Sequence, residues 1–116
     1  MNGLPEMTIP KYSKENLEAI RAIVQAFPGA REGRMFGYPA FFVGRRMFAC
    51  VYDVGVGVKL PAEDVLSLLK REGNIPFRPH GKARMREWVQ LNRAGPGDYL
   101  KETKVFERSV EFVKNK

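Results

Sequence analysis

A two-layer α+β domain is what this 116-residue sequence predicts, and three observations carry the prediction. The stretch from Arg34 to Leu60, RMFGYPAFFVGRRMFACVYDVGVGVKL, holds the densest apolar sequence and the clearest turn signals, and reads as consecutive short antiparallel strands. Segments of helical period flank it on both sides, and a third closes the chain. No linker, internal repeat or low-complexity tract interrupts the sequence, and a chain of this length forms one domain that buries roughly two thirds of its unfolded surface.

Residues 1–12 carry Pro5 and Pro10 and no periodicity, and are expected to form a flexible arm. Ser13 suits a helix N-cap, with Glu15 in the first turn where the helix dipole favours an acid. Leu17, Ile20, Ile23, Val24 and Phe27 recur at helical spacing, and Pro28-Gly29 stops the helix. A first strand is expected over about Arg31–Phe36, broken by Gly37. Gly44-Arg45 then predicts a two-residue hairpin, because glycine accepts the positive φ that a type II′ turn requires first. An unbroken ladder would set Phe42 against Met47, Phe41 against Phe48 and Ala40 against Ala49. One face would carry Phe42, Met47, Ala49 and Val51, the other Phe41, Val43, Phe48 and Cys50. Both faces are apolar, so both are covered within the chain or one is covered by a second copy. After a turn at Asp53 to Gly55, Val56, Val58 and Leu60 alternate with Gly57 and Lys59 as a strand of period two.

Pro61 opens a second helix, where its missing N–H costs nothing, with Val65, Leu66, Leu68 and Leu69 as the buried stripe and Gly73-Asn74 as its end. Ile75 to Pro79 is extended, because Pro76 and Pro79 each disfavour helix in the residue before them. Residues 80–86 are a loop or strand edge, and Glu87 to Asn92 is a last strand carrying Trp88, Val89 and Leu91. Past the Gly95-Pro96-Gly97 turn a third helix runs from about Lys101 and buries Val105, Phe106, Val110 and Val113. The order is helix, three or four strands, helix, two strands, helix.

Composition narrows the function classes. No apolar run approaches the ~20 residues that span a bilayer, and the first residues have neither the basic nor the apolar region of a signal peptide. One cysteine cannot form an internal disulfide, so a cytoplasmic setting is expected. A net charge of +7 and a pI near 9.8 favour an anionic partner, meaning nucleic acid, an acidic protein surface or an anionic membrane, and of these nucleic acid or an acidic protein, with no membrane, is the expectation.

The charge has a pattern. Arg78, His80, Lys82, Arg84 and Arg86 occupy every second position. In an extended chain all five project one way, as a stripe of about 25–30 Å at ~3.3 Å per residue. Such a stripe could follow a phosphate backbone, releasing counterions at each contact. Arg45 and Arg46 at the hairpin tip, with Arg31 and Arg34 near in sequence, extend it. The competing reading is a solvated edge, where Lys and Arg discourage edge-to-edge aggregation.

Other chemistries find no support. His80, the single histidine, lacks the partners of a zinc set or a nucleophile in reach. Cys50 sits mid-strand among apolar residues and reads as a buried thiol. Gly55-Val56-Gly57 lacks the third glycine and the following helix of a dinucleotide fingerprint. Glu63, Asp64, Glu102, Glu107 and Glu111 read as helix-surface charge, and Trp88 as core. No catalytic residue, cofactor or metal is therefore expected.

Several short motifs occur in an order that resembles the TfoX N-terminal domain: Arg34-Met35-Phe36-Gly37, then Phe42-Val43-Gly44-Arg45-Arg46-Met47-Phe48-Ala49, then Val58-Lys59-Leu60, then Ile75-Pro76-Phe77-Arg78-Pro79. The resemblance covers roughly residues 15–114. It implies a secretion-chaperone-like fold, α-β(3)-α-β(2)-α, with an antiparallel sheet and helices on one side. Full-length TfoX-type proteins are associated with regulation of competence genes and carry a second, C-terminal domain; the resemblance covers the N-terminal domain alone and implies a stand-alone regulatory or binding module. Glu87-Trp88-Val89 departs from the strand usual in that family. Related YjbR-like proteins share a basic stretch before a Trp-Val strand and are described as DNA-binding.

Two functions follow as expectations. One is a non-enzymatic regulatory module that binds nucleic acid through Arg45, Arg46, Arg78, His80, Lys82, Arg84 and Arg86. The other is a protein–protein module, a homodimer through an apolar sheet face, with no nucleic-acid role.

Overall fold

The computed structural model describes residues 9–81 and 85–116, except for the side chain of His80. Helix α1 (Lys14–Val24) starts where Ser13 Oγ accepts a 3.0 Å hydrogen bond from the Asn16 N–H, an N-cap in the expected place. Four strands follow: β1 (Ala30–Met35), β2 (Tyr38–Val43), β3 (Arg46–Tyr52) and β4 (Gly55–Lys59). Helix α2 (Ala62–Leu68) leads to β5 (Asn74–Pro76) and β6 (Trp88–Asn92), and a 3-10 segment (Pro96–Glu102) runs into α3 (Thr103–Lys114). The four strands before α2 fall within the residue-by-residue reading and exceed by one the count that the TfoX resemblance implies. The six strands pair antiparallel in the order β1-β2-β3-β4-β6-β5.

The two hairpin turns at opposite ends of β2 differ. Gly44 has φ +62 and Arg45 keeps an ordinary φ, the type II′ pattern expected. At the other end Phe36 and Gly37 both have positive φ, +49 and +87, the type I′ pattern in which asparagine is the usual first residue.

The register within the β2–β3 hairpin is a correction. Phe42 does face Met47, but a bulge then skips Phe48, so that Phe41 pairs with Ala49 and Ala40 with Cys50. Cys50 therefore lies with Ala40, Phe42 and Met47, while Ala49 and Val51 join Phe41 and Phe48 on the helix side. Hydrophobic patterning alone misses this, because both faces are apolar and either register buries apolar groups.

All three helices pack on that side. Leu17 and Ile20 of α1, Val65 of α2, and Phe106, Val110 and Val113 of α3 meet Phe41, Val51, Val58 and Leu91 in one core. Leu66 is a correction to the expected α2 stripe, being 53% exposed. The opposite face is also covered from within the chain. The Phe77 ring lies on Gly57, where an added Cβ would stand 3.0 Å from it, and packs against Trp88 at 5.4 Å between centroids. Ala40, Cys50, Phe77 and Trp88 form this second core, so covering the face needs no second copy.

Two polar ties lock the ends of the fold. Tyr99 is fully buried, and its hydroxyl donates to the Leu91 carbonyl at 2.8 Å. Arg93 forms a two-pronged ion pair with Glu102 and donates to Asn74 Oδ1 at 2.9 Å, joining β6, the 3-10 segment and β5. Part of the expected N-terminal arm is attached as well. The Lys11 carbonyl accepts from the Asp53 N–H at 2.7 Å, and Pro10 packs at Gly37; residues 1–8 lie outside the described residues.

Candidate nucleic-acid interface

Lys59, at the end of β4, pairs across the sheet with Trp88, the first residue of β6. The strand alternation that buries Val56 and Val58 on the helix side turns Lys59 to the other face, where its Nζ stands 5.8 Å from the centre of the Trp88 ring. Trp88 is 4% exposed. The Lys59 stem therefore lies along apolar surface while its charge stays at the rim.

Three further cations gather around this pair. Arg86 comes from the turn before β6 and shares a cleft of about 450 Å³ with Lys59, Ala62, Met85, Glu87 and Trp88. On the other side of Lys59, a cleft of about 420 Å³ is walled by Arg46, Met47, Lys59, Trp88, Val113 and Lys116. Four elements thus deliver Arg46, Lys59, Arg86 and Lys116 to one region. A single acidic side chain, Glu87, lines these two clefts. Glu87 Oε1 is 3.5 Å from Lys59 Nζ and 3.1 Å from Lys116 Nζ. The hydrogen-bonded Lys116 ammonium holds the Glu87 carboxyl below the ordinary carboxylate value, and Lys59 adds to the effect.

The surface continues to the β2–β3 turn. Arg31 lies opposite Phe42 in the sheet, its guanidinium 4.8 Å from the ring centre, and its Nη2 donates to the Gly44 carbonyl at 2.9 Å. Phe42 in turn faces Met47, a wall of the second cleft. Arg45 is exposed at the turn itself. The region thus presents charge instead of open ring faces, since Trp88 is buried and Phe42 lies under Arg31. Cations without free aromatic faces suit phosphate contacts better than base stacking.

Among the described residues, the expected stripe is not extended at either end. Pro79–Gly81 forms a 3-10 turn, closed by the Gly81 N–H on the Arg78 carbonyl at 3.1 Å, with Gly81 at φ +73. A second turn, closed by the Trp88 N–H on the Met85 carbonyl at 3.1 Å, precedes β6. Strand alternation therefore does not hold at either described end of the stripe. Arg78 and Arg86 are both exposed, whereas Lys82, Arg84 and the His80 side chain lie outside the described residues. Arg34 is not part of the cluster, because its Nη1 donates to the Gly37 carbonyl at 3.0 Å, at the other end of β1 from Arg31. Sequence reasoning missed Lys59 and Lys116. Lys59 had a signal, a cation breaking an apolar alternation, but its pairing with Trp88 is long-range; Lys116 had none.

The remaining sequence candidates sit elsewhere. Cys50 is fully buried, and burial pushes its thiol up to about 12, far from a reactive thiolate at neutral pH. Gly57 lies under Phe77 and is a packing glycine. Among the described residues, no three His, Cys, Asp or Glu side chains gather as a metal set would, and no helix is long and apolar enough to cross a membrane.

Against known families, the YjbR family model matches residues 25–108. The chain belongs to the YjbR family. No curated protein and no solved structure matches it. The YjbR match runs from the end of α1 into α3 and includes Arg31, Arg45, Arg46, Lys59, Glu87 and Arg86, while Lys116 lies beyond it. The match names YjbR and not TfoX, the family that the motif order resembles.

Proposed function

We propose that this YjbR-family protein is a non-enzymatic cytoplasmic binding module that holds the phosphate backbone of nucleic acid. Arg46, Lys59, Arg86 and Lys116 form the centre of the contact, with Arg31 and Arg45 at its margin. The observation that carries the reading is the convergence of four cations from four elements around Trp88, against one acidic side chain in the cleft linings. Such a surface recognises charge spacing and not base identity, because its hydrogen-bond donors are ammonium and guanidinium groups and its aromatic rings are covered. A regulatory role of the kind the TfoX resemblance implies fits a module that docks on nucleic acid and performs no chemistry there.

The test is fluorescence anisotropy of labelled duplex DNA and single-stranded RNA, titrated with protein at two salt concentrations. Four phosphate contacts give a log–log salt slope of about −3 to −4 on duplex. Micromolar binding with that slope, weakened alike on all sequences by Arg86→Glu and Arg46→Glu, is the expected result. Flat curves at both salts would overturn the reading and leave the charge as solvated surface.

A further inference from the structure

We infer that Glu87 occupies, in the free protein, the place that a backbone phosphate takes between Lys59 and Lys116, and so sets the affinity of this surface from within. This rests on the nucleic-acid reading above. One oxygen, Glu87 Oε1, is within 3.5 Å of Lys59 Nζ and 3.1 Å of Lys116 Nζ. The three side chains come from the end of β4, the turn before β6 and the residues after α3, so the fold has built a two-lysine anion site and filled it with its own anion. The carboxylate is 37% exposed, leaving room for an incoming anion to displace it.

The backbone at this point is held by hydrogen bonds that do not involve the Glu87 side chain. The Leu60 N–H donates to the Glu87 carbonyl at 2.9 Å, and the Trp88 N–H to the Met85 carbonyl at 3.1 Å. Rotation of the Glu87 side chain therefore releases both lysines without moving β6. A phosphate group gains more from the position than the carboxylate does. It presents several acceptor oxygens at one centre, and the adjoining clefts put Arg86 on one side and Arg46 on the other. Among the described residues neither arginine has an ion-pair partner, so both remain available to an anion held between them. The arrangement also disfavours weak anions, because any ligand must outcompete a tethered carboxylate at high local concentration.

Glu87→Gln keeps the shape of the side chain and removes the charge. With a labelled duplex DNA of about 20 base pairs, it is expected to tighten binding about three- to tenfold and to steepen the salt slope by about 1. Glu107→Gln on the exposed face of α3 changes net charge equally and is expected to leave affinity as in the wild type. In a Lys59→Gln background the gain from Glu87→Gln should be smaller, since only Lys116 is then released. Equal affinity of Glu87→Gln and Glu107→Gln would overturn the inference while the nucleic-acid reading stands. Should no variant bind duplex even at low salt, that reading fails by itself. Titration with inorganic phosphate, followed by NMR at the lysine side chains, then decides the two-lysine site. Saturation of Glu87→Gln at lower phosphate than the wild type supports it, and identical titrations overturn it.

Discussion

The Ser109 hydroxyl donates a 3.0 Å hydrogen bond to the Phe48 carbonyl, with both residues fully buried. Phe48 is the residue that β2 skips at the bulge, so the donor from α3 reaches the sheet at the point where its ladder is interrupted. Ser109→Ala deletes the donor and leaves a buried acceptor. It is expected to cost about 1–2 kcal/mol, read as a lower urea midpoint at unchanged slope. No change in midpoint would mean that the bulge is stable without α3.

Two buried acids make stability fall at high pH. Burial pushes the Cys50 thiol up to about 12 from 9.0 and the Tyr99 hydroxyl up to about 12 from 10.0. Between those limits the unfolded chain has lost protons that the folded chain still holds, so folding weakens as pH rises. Stability should be level below about pH 9 and decline towards pH 12. Tyr99→Phe should remove the part of the decline above about pH 10, at the cost of the bond to the Leu91 carbonyl. Denaturation midpoints from pH 8 to 11.5 test this, and parallel curves for the two proteins would contradict it.

Phe36 combines a left-handed backbone, φ +49, with a side chain that is 80% exposed. The conformation is costly for a bulky residue, and the exposed ring regains little of that by packing. Phe36→Asn should therefore raise stability by about 0.5–1 kcal/mol, since asparagine suits the first position of a type I′ turn. A lower melting temperature in the variant would show that the ring contributes packing after all.

The single tryptophan sits at the proposed interface, which makes it a reporter. Anion binding that draws Lys59 away from the Trp88 ring should change its fluorescence in step with anisotropy. Lys59→Gln should abolish that optical response and lower the salt slope by about 1. A response that survives the substitution would place the bound anion elsewhere.

Much of the fold was legible because local rules carried it. The Ser13 cap, the Gly44 turn and the helical stripes of Leu17, Ile20 and Val110 each depend on residues close in sequence. The faces of β3 were not legible, because a bulge between two apolar strands leaves no trace in their pattern. The described ends of the basic stripe depart from extended geometry for a related reason. Alternation at Arg78 and Arg86 means one face only in an extended chain, and the Pro79–Gly81 turn ends that condition. Tyr99 and Arg93, which close the core and tie the strand ends, flank the Gly95-Pro96-Gly97 turn between the elements read from the sequence and gave no periodic signal.

By itself the sequence determined the α+β class, the helix that opens the chain, the II′ hairpin and an excess of positive charge, since each follows from composition or from neighbours within a few positions. The tertiary structure decided which cations meet. Arg46, Lys59, Arg86 and Lys116 are up to 70 residues apart, and only strand order, with β6 placed beside β4, and the packing of α3 on β3 bring them around Trp88. Charge can be counted along a chain, but the field it makes depends on distances that folding alone sets.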